Sequence, residues 1–89
     1  MTRTEKFEAL EYMEKYYRRL YNESVGIDRE VAFEAQENLH YISKLIGFVM
    51  YDTHDIGSMW LEDKLMEKYG EEMEYALDVV RRRVEGVAV

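Results

Sequence analysis

The stretch Asp28–Tyr51, DREVAFEAQENLHYISKLIGFVMY, places the strongest limit on the fold. It holds no proline, and its second half is apolar on nearly every side. A surface helix shows one apolar stripe, whereas a helix apolar all round is enclosed by neighbours. The stretch therefore predicts the central helix of a small bundle. Val31, Ala35, Leu39, Ile42, Ile46 and Val49 recur at helical spacing as one stripe. Phe33, His40, Gly47, Phe48 and Tyr51 form a thinner second set on the other side.

The flanks supply partners for such a helix. Thr2-Arg3-Thr4-Glu5 has the spacing of a capping box, in which a Thr side chain and a Glu three residues on satisfy each other's backbone N–H. A helix is predicted from Arg3 to Glu23, with Phe7, Leu10, Met13, Tyr17, Leu20 and Tyr21 on one face and Tyr12 and Tyr16 on the opposite one. Gly26 is suited to the left-handed conformation that ends helices, and Asp28 to capping the next. Residues 52–58 are polar enough to connect, with Asp55 or Ser58 capping a third helix that starts near Met59. Leu61, Leu65, Tyr69, Met73, Ala76 and Val80 make its inner face. Gly70 inside it costs about 1 kcal/mol against alanine, so a break there is an alternative. Arg81-Arg82-Arg83 suits the negative end of the helix dipole, and Gly86 onward reads as a frayed tail. The expectation is one all-α domain over 1–89: a small bundle of three helices, or four if Gly70 breaks the last, with a long central helix over about 28–51.

Composition narrows the function classes. There is no cysteine, so disulfides and thiolate metal sites are excluded, and an intracellular, cytoplasmic protein is expected. The start MTRTEKFEALEYMEKYY lacks the apolar core of a signal peptide, and no run approaches the ~18 apolar residues of a membrane span. A net charge of −7 argues against a general nucleic-acid binder, because phosphate contacts require basic residues. Eight tyrosines in 89 residues is a high count, and tyrosine is favoured where a surface is half wet and half buried.

Three patterns bear on chemistry. Asp63, Glu67, Glu71, Glu74 and Asp78 lie on one helix face opposite the core, a solvated outer face or a docking face for a basic partner. Tyr12, Tyr16, Phe33, Phe48 and Tyr51, with His40, exceed what one small core holds, and suggest an oligomer or partner interface, a dimer first. Glu37-Asn38-Leu39-His40 presents two metal-ligand types on one helix face and resembles the Glu-x-x-His element of ferritin-like di-iron proteins, which need two such elements and further glutamates. A single copy here makes metal binding through Glu37 and His40 a minor alternative; no metal or cofactor is expected. His54-Asp55-Ile56-Gly57 is similar to the tetrapeptide of HD-domain phosphohydrolases, whose further histidines have no counterpart in a chain with only two.

Arg18-Arg19-Leu20, Gly26 to Ala35 and Tyr41-Ile42-Ser43-Lys44-Leu45 resemble the helix-turn-helix of phage-repressor-like (Xre family) transcription factors. The resemblance spans about half the chain and implies that Asn38, His40, Tyr41 and Lys44 face the DNA major groove. Gln36 replaces the family's turn glycine and Glu37 its core-plugging apolar residue, so local physics favours a helix that runs straight through 36–38. Taken together, the residues predict a non-enzymatic, acidic, helical interaction protein that occludes or scaffolds a basic partner surface and self-associates. By fold-level analogy it is akin to phage or mobile-element inhibitors of host machinery. A degenerate or genuine helix-turn-helix regulator is the alternative.

Overall fold

The helix ends follow the local capping chemistry. The computed structural model describes residues 2–51 and 56–86, and only the backbone at 51, 56–58 and 84–86. Three helices account for nearly all of it: α1 (Arg3–Ser24), α2 (Arg29–Tyr51) and α3 (Ile56–Gly86). Thr2 accepts from the Glu5 N–H through its side chain at 3.1 Å, and Glu5 accepts from the Thr2 N–H at 3.2 Å, completing the capping box. Gly26 has φ +85°, a conformation that costs an L side chain about 1–2 kcal/mol, and it turns the chain out of α1. Asp28 Oδ1 then accepts from the N–H groups of Glu30 and Val31, satisfying donors at the start of α2 that have no partner within the helix.

α2 runs without interruption through 36–38, and α3 without interruption through Gly70, so the bundle has three helices. α3 begins at Ile56 rather than near Met59, which places Ser58 inside the helix instead of at its cap. Residues 52–55, including the cap candidate Asp55 and the His54-Asp55 pair, lie outside the described residues, as does the tail beyond Gly86.

Α1 is the helix against which both others pack, while α2 is central in chain order. α1 and α2 form an antiparallel pair: the Arg3 guanidinium donates to the carbonyl oxygens of Val49 (2.6 Å) and Met50 in the last turn of α2. That turn carries no basic residue of its own, so α1 provides the cation that complements the dipole, a contribution of about 1 kcal/mol. α3 also runs antiparallel to α1, with Arg81 bonded to Glu5 and Tyr17 to Glu72. The Glu5 carboxyl is held below its usual range, first by the Thr2 backbone N–H and then by Arg81.

The core joins Ala9, Leu10 and Met13 of α1, Ile42, Leu45 and Val49 of α2, and Leu65, Tyr69, Met73, Ala76 and Leu77 of α3. The faces depart from the predicted stripes in detail. On α2, Leu45 and Ala32 are buried, whereas the predicted Val31, Leu39 and Ile46 are only half-buried. On α3, Leu77 is buried, and Leu61 and Val80 are half-covered. An all-round apolar helix does not encode which side its neighbours take; α1 and α3 choose it jointly. α2 and α3 meet lightly, where the buried Tyr69 hydroxyl donates to Asn38 Oδ1 and Lys68 lies 4.9 Å above the Tyr41 ring. Burial, with the charge of Glu72 next, pushes the Tyr69 phenol up to about 12.

Candidate functional site

Asp63, Glu67, Glu71, Glu74 and Asp78 are all exposed, on the side of α3 away from Leu65, Tyr69, Met73 and Ala76. This follows from the helical spacing, because burying one face fixes the other outward. Asp78 meets Arg82 at 2.9 Å one turn on, an exposed pair worth only a few tenths of a kcal/mol. Asp63, Glu67, Glu71 and Glu74 form no ion pair among the described residues.

Midway along this face the surface opens into a cleft of about 500 Å³ between α1 and α3. Tyr12, Tyr16 and Tyr17 line it from α1, Glu71, Glu72 and Tyr75 from α3, and the buried Met13 forms its floor. Tyr17 donates its hydroxyl to Glu72 Oε2 at 2.7 Å, and Tyr16 stands edge-on to Tyr17 at 5.1 Å and 80°. Burial, reinforced by the Glu72 hydrogen bond and charge, raises the Tyr17 phenol well above its ordinary range. Tyr16 and Tyr75 are 55% and 65% exposed, so their rings remain open to solvent. The Arg83 guanidinium lies 5.4 Å over the ring of Tyr12 at the edge of this region.

The remaining predicted interface residues scatter. Phe33 is 67% exposed in a hollow at the α1–α2 turn, shared with Tyr21, Val25, Gly26, Ile27, Arg29, Ala32 and Gln36. Phe48 packs against the core, which accounts for an aromatic that the periodicity left over. His40 is exposed, with its ring 5.7 Å from Tyr41, and the side chain of Tyr51 lies outside the described residues. Four of the six aromatic candidates thus lie on separate surfaces, Tyr12 and Tyr16 at the cleft, Phe33 at the turn and His40 apart from both, and Tyr12, read as surplus to the core, also packs against it.

The residues assigned to a DNA groove divide as well. Asn38 donates to the Glu34 carbonyl oxygen at 2.9 Å and accepts from Tyr69, and Tyr41 is covered by Lys68, whereas His40 and Lys44 are exposed. Glu37 and His40 are both exposed, and no group of three or more metal-ligating side chains comes together among the described residues. No described helix is long and apolar enough to cross a membrane.

Sequence reasoning missed Glu72 and Tyr75; it placed Tyr17 on the core face, and Tyr17 does pack against the core while also lining the cleft. Their spacing held a partial signal, since Glu71 and Tyr75 are one turn apart, as are Tyr12 and Tyr16. The pairing of α1 with α3 joins the two sets. No protein-family model, curated protein or solved structure matches the chain.

Proposed function

We propose that the protein is a non-enzymatic binding module whose α3 docks onto a basic surface of another macromolecule, occluding or scaffolding it. The carrying observation is the row of four exposed carboxylates, Asp63, Glu67, Glu71 and Glu74, that have no cationic partner among the described residues. Like charges one turn apart weaken a helix by a few tenths of a kcal/mol per pair, a cost that a positive partner removes. Complementary charge of this kind speeds association and is weakened by salt.

The test is capture of partners from an extract of the producing cell on immobilised protein, against the triple variant Glu67→Gln, Glu71→Gln, Glu74→Gln. All three side chains are exposed, so the helical circular dichroism of the variant is expected to match the wild type. The expected partner presents a basic surface, is lost with the variant, and elutes from the wild type as salt rises. Equal capture by both proteins, with no dependence on salt, sinks the reading.

Self-association is the second part of the proposal, through the hollow at the α1–α2 turn. Ile27, Phe33 and Val25 stand 86%, 67% and 51% exposed there, and such a grouping of apolar side chains is typical of interfaces. Light scattering is expected to give a mass above one chain for the wild type and one chain for Phe33→Ser. Identical masses for the two proteins remove this surface from consideration.

A further inference from the structure

We infer that the cleft between α1 and α3 is a receptor for an arginine side chain. The inference rests on the reading above and deepens it by naming the part of the basic partner that enters. The lining supplies four tyrosine rings and two carboxylates, and the chain's own Arg83 stands over the Tyr12 ring at its edge without lining it. An apolar ligand would strip water from Glu71 and Glu72 without replacing it, and an anion would be repelled by them. A cation suits both features: ring faces attract it through their quadrupole, and carboxylates through charge.

Two observations select guanidinium among cations. Its planar fork stacks on a ring while donating sideways to a carboxylate, which a compact ammonium does less well. The protein already makes such a contact: the Arg83 guanidinium sits 5.4 Å over Tyr12, one of the cleft's own rings. The receptor is also held in place before binding. Tyr17 anchors Glu72 through one carboxylate oxygen and Tyr16 braces edge-on against Tyr17, while Tyr16 and Tyr75 keep more than half of their surface open. Among the described residues the second oxygen of Glu72 and the whole of Glu71 have no hydrogen-bond donor, and they remain to receive the N–H groups.

The experiment titrates the protein with a short peptide of alternating glycine and arginine, and with matched lysine and citrulline peptides. Affinity is read by calorimetry and the ring protons of Tyr16 and Tyr75 by NMR. The arginine peptide is expected to bind best and to shift both rings, and the uncharged citrulline peptide to fail. Tyr75→Leu, an exposed change that leaves the core alone, is expected to weaken the arginine peptide roughly fivefold, the loss of one cation–π contact. The double variant Glu67→Gln, Glu74→Gln, outside the cleft, separates the two proposals. If it lowers affinity while Tyr75→Leu does not, the cleft is overturned and the acidic face stands. If Tyr75→Leu alone lowers affinity, the cleft stands without the outer face. Equal binding of the citrulline peptide, or no binding of the arginine peptide, overturns the arginine receptor.

Discussion

Shortening Leu10 to alanine is expected to lower stability by about 2–5 kcal/mol, the range for emptying a closed core site. Leu10 is fully buried on α1, the helix against which both others pack, and it belongs to the cluster shared with Ile42, Leu45, Tyr69 and Met73. The loss has two parts: the transfer energy of the deleted carbons and the cavity that neighbours from three helices cannot all close upon. A domain of this size loses about 4–8 °C of melting temperature per kcal/mol, so thermal unfolding followed by circular dichroism has ample range. Leu20→Ala is the comparison. Periodicity puts Leu20 on the same stripe as Leu10, but in the structure it is only half-buried. Its truncation should cost clearly less, and equal losses would contradict the packing described for α1.

Tyr69→Phe is expected to make the protein less stable at neutral pH and more resistant to alkali. At neutral pH the change removes the donor to Asn38 Oδ1, at a cost of about 1 kcal/mol. The alkaline effect comes from the phenol. Its ordinary value is 10.0 and burial in the fold raises it to about 12. Below pH 10 the proton is held in both folded and unfolded chains, and the stability it contributes is fully present. Between pH 10 and about 12 only the unfolded chain ionises, so stability falls by about 1.4 kcal/mol per pH unit until the folded value is passed. Tyr17 acts in the same direction, its phenol raised by burial and by Glu72. Wild type is expected to unfold as pH rises through this window, with phenolate absorbance appearing together with loss of helix. In Tyr69→Phe that transition should move to higher pH. A transition left where it was would mean that Tyr69 does not ionise on unfolding.

The helix ends were legible because each depends on a few neighbouring residues. Thr2 with Glu5, Gly26, and Asp28 act where the sequence puts them, through hydrogen bonds that span at most three positions. The continuity of α2 through 36–38 was legible for the same reason: Gln36, Glu37 and Asn38 include no glycine or proline to break the helix. The start of α3 was less so, because polar residues at 52–58 read as connection although Ile56, Gly57 and Ser58 join the helix. Core faces were approximate on α2, where apolar residues surround the axis: periodicity put Ile46 on the inner stripe and left Leu45 off it, whereas packing buries Leu45 and half-covers Ile46.

The candidate site divides along the same line. The acidic face belongs to one helix, and its spacing alone put five carboxylates opposite the core. The cleft belongs to two helices whose paired residues, such as Tyr17 and Glu72, lie 55 positions apart. By itself the sequence determined the capped starts of α1 and α2, the charged and apolar sides of the helices in outline, and the outward row on α3, since all of these arise from contacts within one or two turns. Only the tertiary structure decided that α1 is shared by both neighbours, that Arg3 completes the end of α2, and that tyrosines of α1 meet Glu71, Glu72 and Tyr75 around one cleft. Those contacts depend on which faces the helices bury against each other, and that choice is made by the packing of the whole chain rather than by any segment of it.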